Sequence, residues 1–288
     1  MRVVIVGASG YIGAPLFRSS ENFCSSLGTS TVGSKSFLRL RLDAQEDFDY
    51  KIIQDSDVVL VTAAISAPDV CAHERERAWA VNVTGTSSFI SNVISRGARV
   101  IFFSSDLVYG QRMDRFDEAA ACKPDGDYAV MKHEVETRFL GNPSFKTIRL
   151  SYVFSCEDKF TNYLCGCAER GVEAEIFHPF YRAVVHRDDI VEGAIALVKR
   201  WKEFPQPIFN FGGPDIISRV EFAQALKDSI FPALLFRKIQ PDPQFFVNRP
   251  SKINMTSPLF ESILGRPPSS LREAAHLELD KRGKMHNG

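Results

Sequence analysis

An α/β fold, a doubly wound parallel sheet followed by a smaller C-terminal lobe, is predicted by three features of this 288-residue chain. First, the apolar runs "RVVIVG", "DVVLVTAA" and "RVIFFSS" are short and show no alternation of apolar and polar residues. Strands of that kind are covered on both faces, as in a parallel sheet. Second, helical stretches stand between them, and repeated strand–helix–strand units with right-handed crossovers wind a sheet in two directions. Third, the length suits one large α/β domain with a small lobe attached.

The elements follow in order. "RVVIVG" is a strand bounded by glycine and "YIGAPLFRSSE" a helix; "DVVLVTAA" is the next buried strand and "AWAVNVTGTSSFISNVISRG" a helix. "RVIFFSS" is a strand, "YAVMKHEVETRFL" a helix, and "KTIRLSYVF" closes the series. These elements assign 1–154 to the sheet domain, to which 184–212, ending in the strand "IFNFGG", returns. Residues 155–183 and 213–280 are expected to form the lobe, where "SRVEFAQALKDSI" opens with a capping box, Ser218 to Glu221. The polar residues 281–288 read as a flexible tail.

Lysine plus arginine balances aspartate plus glutamate at 35 each, so no global field favours nucleic acid or an anionic membrane. The six cysteines show no CxxC spacing, and Cys165 and Cys167 stand too close for a zinc half-site, so no metal is expected. No apolar run approaches the roughly 20 residues that span a bilayer. The chain opens directly into "MRVVIVG" without a leader pattern, and a cytoplasmic protein with free thiols is the expectation.

"VIVGASGYIG" puts Gly7, Gly10 and Gly13, with Ser9, Tyr11 and Ile12 between them, at the junction of the first strand and helix. There the first glycine permits a tight turn, the second lets backbone approach a pyrophosphate, and the third packs helix on strand. A dinucleotide cofactor is expected on that turn. An acid after the fold's second strand would bond an NAD ribose, but "TSTVGSKSF" carries none. Ser34 and Lys35, with Arg39 close by, offer a donor and cations for a 2′-phosphate, which favours NADP over NAD; a solvated Ser-Lys turn is the other reading.

Tyr128 and Lys132, four residues apart in "DGDYAVMKHEVE", share one face of a helix. An adjacent ammonium would lower the phenol's pKa and make it a usable acid and base. Alone, the pair reads as exposed surface. It lies one element after the strand that ends in Ser104 and Ser105, so all can converge at the carboxyl edge, where ligands bind in such sheets.

"GASGYIG", "NVTGT" from Asn82, "SSDLVYG" and "YAVMK" occur in the order seen in extended short-chain dehydrogenase/reductases, which the chain resembles. In its second half "IRLSYVF", "YRAVVHRDDI", "IFNFGG" and "NRPSKINM" resemble the sugar-nucleotide branch, most of all the dTDP-4-dehydrorhamnose reductases. The resemblance implies a Rossmann sheet with Ser105 as the catalytic hydroxyl, Tyr128 as acid/base and Lys132 as its partner. It implies Asp43 with Ala44 near the adenine, Ala63 and Ala64 along the cofactor, and Asn82 on the helix beside the site. Ser105 and Asp106 would meet the sugar, and Arg182 and Arg249 would hold its diphosphate; the arginines read equally as solvated charges and Asp43 as a helix cap. Homodimers through the helices holding Asn82 and Tyr128 are common among such relatives.

Related dehydratases carry Thr-Asp-Glu in this turn, where the glutamate removes a proton. Here the third residue is Leu107, which cannot accept one, so elimination is not expected. What remains is reduction of a nucleotide-activated 4-keto-6-deoxy sugar by NADPH, or by NADH. The alternatives are a C4 epimerase of nucleotide sugars and a non-catalytic NADP-binding regulatory subunit. "SCEDKFTNYLCGC" departs from the reductases and is expected to line the sugar pocket.

Overall fold

The computed structural model describes residues 1–112 and 114–286, with side chains as far as 281. β1 (Val3–Val6) is wholly buried, and α1 (Gly13–Glu21) follows it. Next come β2 (Ser26–Ser30) and the two-residue β3 (Leu38–Arg39), for which "SLGTS" and "LR" offer no apolar run. β2 is held by its backbone instead, in parallel register with β1 from Val3 opposite Ser26 to Val6 opposite Thr29. "DVVLVTAA" yields β4 (Val58–Val61).

The long helix expected next is resolved into pieces: α2 (Pro68–His73), α3 (Arg75–Trp79), a π-helical turn over Ala80–Gly85 and α4 (Thr86–Ser95). The wide turn has a local cause. Thr86 Oγ1 donates to the Val81 carbonyl at 2.8 Å, and Gly85 lies so close to the Leu42 carbonyl that a Cβ would stand 1.8 Å from its oxygen. Such turns concentrate at functional sites. β5 (Arg99–Ser105), α5 (Asp127–Phe139) and β6 (Phe145–Leu150) follow.

Beyond β6 the chain moves between sheet and lobe. It runs through β7 (Val153–Phe154), α6 (Lys159–Arg170), β8 (Ala174–Phe177), β9 (Tyr181–Ala183), β10 (Val185–His186) and α7 (Arg187–Lys199). β11 (Ile208–Phe211), β12 (Ile216–Ser218), α8 (Arg219–Ser229), β13 (Phe236–Ile239), α9 (Pro258–Leu264) and α10 (Leu271–His286) complete it. The capping box of α8 is formed by Ser218 and Glu221.

Seven strands make one parallel sheet in the order β11-β6-β5-β4-β1-β2-β3. Its two faces explain the unbroken apolar runs. Val3 and Ile5 pack with α7 and α9 side chains such as Leu197 and Phe260, while Val4 and Val6 join Phe89 and Val93 of α4 on the opposite side. Strand order reverses between β1 and β4, and a crevice opens there at the carboxyl ends. The lobe has its own core of Phe154, Leu164, Ile176, Phe222 and Leu226.

Of the expected tail 281–288, residues 281–286 continue α10 and the last two lie outside the described residues. Lys281 anchors the helix by an ion pair of 2.6 Å to Asp188 of α7, and Glu278 of α10 meets His186 Nε2 at 3.0 Å. Among the described residues, no helix is long and apolar enough to cross a membrane.

Candidate active site

The glycine turn is fixed by backbone contacts. Gly7 has φ 89°, in the left-handed region, and a Cβ there would lie 3.0 Å from the Ala63 nitrogen. A Cβ at Gly13 would lie 2.0 Å from the Gly7 carbonyl oxygen, so only glycine lets α1 approach β1 this closely. The turn forms one end of a cleft of about 1210 Å³ that crosses the strands' carboxyl ends and reaches the lobe. Ser9, Gly10, Tyr11, Ile12, Ala63 and Ala64 all line it. The Tyr11 hydroxyl meets Ser155 Oγ at 2.8 Å, joining the turn to the lobe.

Ser105 at the end of β5, and Tyr128 and Lys132 on α5, line the middle of the cleft together. Ser105 Oγ donates to Asp106 Oδ1 at 3.2 Å and accepts from the Leu107 amide at 3.2 Å. Asp106 is buried, which raises its pKa against the opposing pull of Arg182 and of the hydroxyls of Ser151 and Ser105. Lys132 Nζ donates to the Phe103 carbonyl at 2.7 Å. Burial pulls its pKa down to about 8 despite the attraction of Glu136.

The expected lowering of the phenol's pKa is not found. Lys132 Nζ turns to the strand carbonyl and stands 5.8 Å from the centre of the Tyr128 ring. Burial, with Cys71 and Asp106 nearby, instead pushes the Tyr128 phenol above its ordinary value. Sharing a helix face brings two side chains near each other without pairing their polar tips.

At the lobe end Arg182 and Arg249 both line the cleft, each already engaged. Arg182 donates to the carbonyls of Tyr181 (2.6 Å) and Pro250 (2.7 Å), and its Nε lies 3.8 Å from Asp106. Burial lowers its pKa to about 10. Arg249 makes a two-pronged pair with Asp69 of α2, at 2.7 and 2.5 Å, which ties the lobe to the sheet domain.

Several expected residues lie elsewhere. Ser34 and Lys35 are exposed and away from the cleft, Ser34 Oγ accepting from the amides of Ser36 and Phe37 within its own turn. Ala44 also lies outside it, whereas Asp43 lines it, ion-paired to Arg41 at 2.9 Å. Asn82 works from behind the wall, its amide clamping the Ile65 backbone by bonds of 2.8 and 2.9 Å. "SCEDKFTNYLCGC" supplies the N-cap and body of α6 and does not line the cleft.

Sequence reasoning missed three of the cleft's cations, Arg41, Arg77 and Arg219. Among the described residues, Arg39, Arg41, Arg77, Lys132, Arg182, Arg219 and Arg249 line the cleft, against the carboxylates of Asp43 and Asp106. Seven cations facing two anions give strong local positive potential in a chain with no net charge. Of these, Arg219 carried one signal in the sequence. It directly follows a capping-box serine, in the first turn of a helix, where a cation opposes the helix dipole.

The sheet order, the glycine turn and the Ser-Tyr-Lys wall define an extended short-chain dehydrogenase/reductase architecture. The chain belongs to the family described as the RmlD substrate binding domain, which it matches over residues 1–281. Among curated proteins it is similar to methionine adenosyltransferase 2 subunit beta of Xenopus laevis, 23% identical over 86% of this chain and 78% of the relative. A hypothetical dTDP-4-dehydrorhamnose reductase from Sulfolobus tokodaii shares the fold at TM-score 0.82 and 21% identity, covering 94% of this chain and 98% of that one. So does a UDP-glucuronic acid 4-epimerase from Bacillus cereus, solved with UDP-glucuronic acid and NAD, at TM-score 0.80 and 18% identity over 99% and 100% of the two chains.

Proposed function

We propose that this protein is an NADPH-dependent reductase of a nucleotide-activated 4-keto-6-deoxy sugar. The observation that carries this is the meeting of Ser105, Tyr128 and Lys132 beside a glycine turn in one cation-lined cleft. The cradle fits a dinucleotide: a Cβ at Gly13 would collide with the Gly7 carbonyl, and the first-turn amides of α1 suit a pyrophosphate. Asp43, Ala63 and Ala64 lie on the same wall. For the 2′-phosphate that distinguishes NADP, Arg39 replaces Ser34 and Lys35, since it lines the cleft and has no ion pair among the described residues. When bound, the reduced nicotinamide supplies the hydride.

The chain's own groups orient the ketone and deliver the proton. Ser105 stands where a hydroxyl can hold a keto oxygen. Tyr128 keeps its proton through the neutral range because burial raises its pKa, and so can donate to a developing alkoxide. Below about pH 8 the Lys132 ammonium is present to stabilise the phenolate left behind. Leu107 lines the cleft where a dehydratase would need a carboxylate, which counts against elimination.

A non-catalytic NADP-binding subunit is the second reading. It is favoured by a curated relative named as a subunit of another enzyme, and by Ser105 and Lys132 bonding to Asp106 and Phe103 rather than to Tyr128. NADPH oxidation against a panel of keto-sugar nucleotides decides between the two. The reductase turns over at least one of them, with kcat/KM falling as pH rises through about 8 and Lys132 loses its proton. Tyr128→Phe lowers turnover by roughly 100-fold or more with NADPH affinity kept. Full activity in that variant overturns the mechanism, and cofactor binding without turnover across the panel favours the subunit.

A further inference from the structure

Arg219 opens α8 beneath the lobe and lines the cleft. Its Nε is buried without a hydrogen bond, and among the described residues no carboxylate pairs with its guanidinium. Aromatic rings hold it instead, at 4.4 Å from the centre of Phe180, 4.7 Å from Phe160 and 5.9 Å from Phe245. A desolvated cation over ring faces is attracted to them, yet its forked N–H donors stay unfilled. The arrangement is costly in isolation. The first turn of a helix disfavours a cation, and burial lowers the pKa of this one, with Tyr152 and Asp158 opposing the shift and the charge of Arg249 adding to it.

The neighbouring arginines are committed within the protein. Arg182 is buried against Asp106 and two backbone carbonyls, its guanidinium 4.3 Å from the centre of the Phe180 ring. Arg249 is engaged by both oxygens of Asp69. Among the described residues, Arg219 is therefore the lobe-end arginine of the cleft without an ion pair.

We propose that Arg219 is the diphosphate-recognition residue of this cleft, filling its unmet donors with phosphate oxygens of a nucleoside diphosphate group, while Arg182 and Arg249 hold the walls on either side. This rests on reading the cleft as a nucleotide-sugar site. A planar guanidinium suits phosphate by two parallel N–H bonds, and the rings around it fix the fork before the ligand arrives.

The test is calorimetric titration of UDP, dTDP and GDP, each beside its parent nucleoside, into the full-length protein saturated with NADPH. At least one diphosphate binds, and inorganic pyrophosphate competes with it in the unsubstituted protein. Arg219→Gln weakens the diphosphate by roughly 10- to 100-fold, the range of a charged hydrogen-bonded contact. The parent nucleoside and NADPH keep their affinities, and Arg219→Lys recovers part of the loss.

Failure of all three diphosphates to bind, absence of pyrophosphate competition, an Arg219→Gln affinity within about twofold of the original, or an equal loss for the parent nucleoside overturns the proposal. The first two arms need no variant, so a misfolded substitution does not protect it. Diphosphate binding that depends on Arg219, with no keto sugar turned over, keeps this assignment and removes the reductase. Turnover with diphosphate affinity indifferent to Arg219 does the reverse.

Discussion

Among the described residues, the two ends of the cleft each hold an arginine without a carboxylate partner, but the two are built in opposite ways. Arg39 projects from the exposed two-residue strand β3, beside a glycine turn whose shape is set by contacts between backbone atoms. Arg219 is held by side chains from three separate parts of the chain, Phe160, Phe180 and Phe245. The first end depends on glycine positions six residues apart, Gly7 and Gly13. The second depends on segments that only the folded lobe brings together. Recognition through backbone tolerates little change at a few positions, whereas recognition through packed side chains spreads its dependence over many.

The largest expected break falls at the glycine end. Gly13→Val sets a branched side chain against the Gly7 carbonyl, and NADPH affinity falls by roughly 100-fold, near the top of an overpacking cost of about 1–3 kcal/mol. Fluorescence titration measures it, with circular dichroism checking the fold. Affinity like the original's would mean that the close approach of α1 and β1 is not what shapes the site.

Arg39→Ala sharpens the contrast at intermediate size. NADPH binding weakens by roughly tenfold, as for loss of a charged contact with phosphate, while NADH changes by less than about twofold. Equal losses for both cofactors would remove Arg39 from the 2′-phosphate and leave cofactor preference to other groups.

The smallest effect belongs to the clasp between lobe and sheet domain. Asp69 is more than half exposed, so Asp69→Asn costs at most about 1 kcal/mol and moves the thermal midpoint by no more than about 3 °C. A much larger fall in differential scanning calorimetry would show that this pair couples the two regions more strongly than a surface ion pair does.

Much of the sheet was legible because burial on both faces leaves a mark in composition. Val3 to Val6 and Val58 to Val61 are apolar since each residue meets one core or the other. β2 was not legible, because its "SLGTS" owes its place to backbone pairing with β1 and carries no apolar run. The convergence of Ser105, Tyr128 and Lys132 could be read from helix spacing and strand order. The direction of the Lys132 ammonium could not, since the Phe103 carbonyl that takes it belongs to another element. Ser34 and Lys35 had suitable chemistry near the right point of the chain, but their turn faces solvent.

By itself the sequence determined the doubly wound sheet, the glycine turn and the Ser-Tyr-Lys wall. They follow from spacing within strands, turns and helices, where covalent geometry already limits the positions of neighbours, and from the order of those elements along the chain. Only the tertiary structure decided the sign and placement of charge. A chain with equal numbers of acids and bases gathers seven cations around one cleft and fastens four of those arginines to carboxylates. Among the described residues, Arg39 and Arg219 are left unpaired at its two ends. Coulomb interaction depends on distance in space, and distance in space is what the order of residues alone does not state.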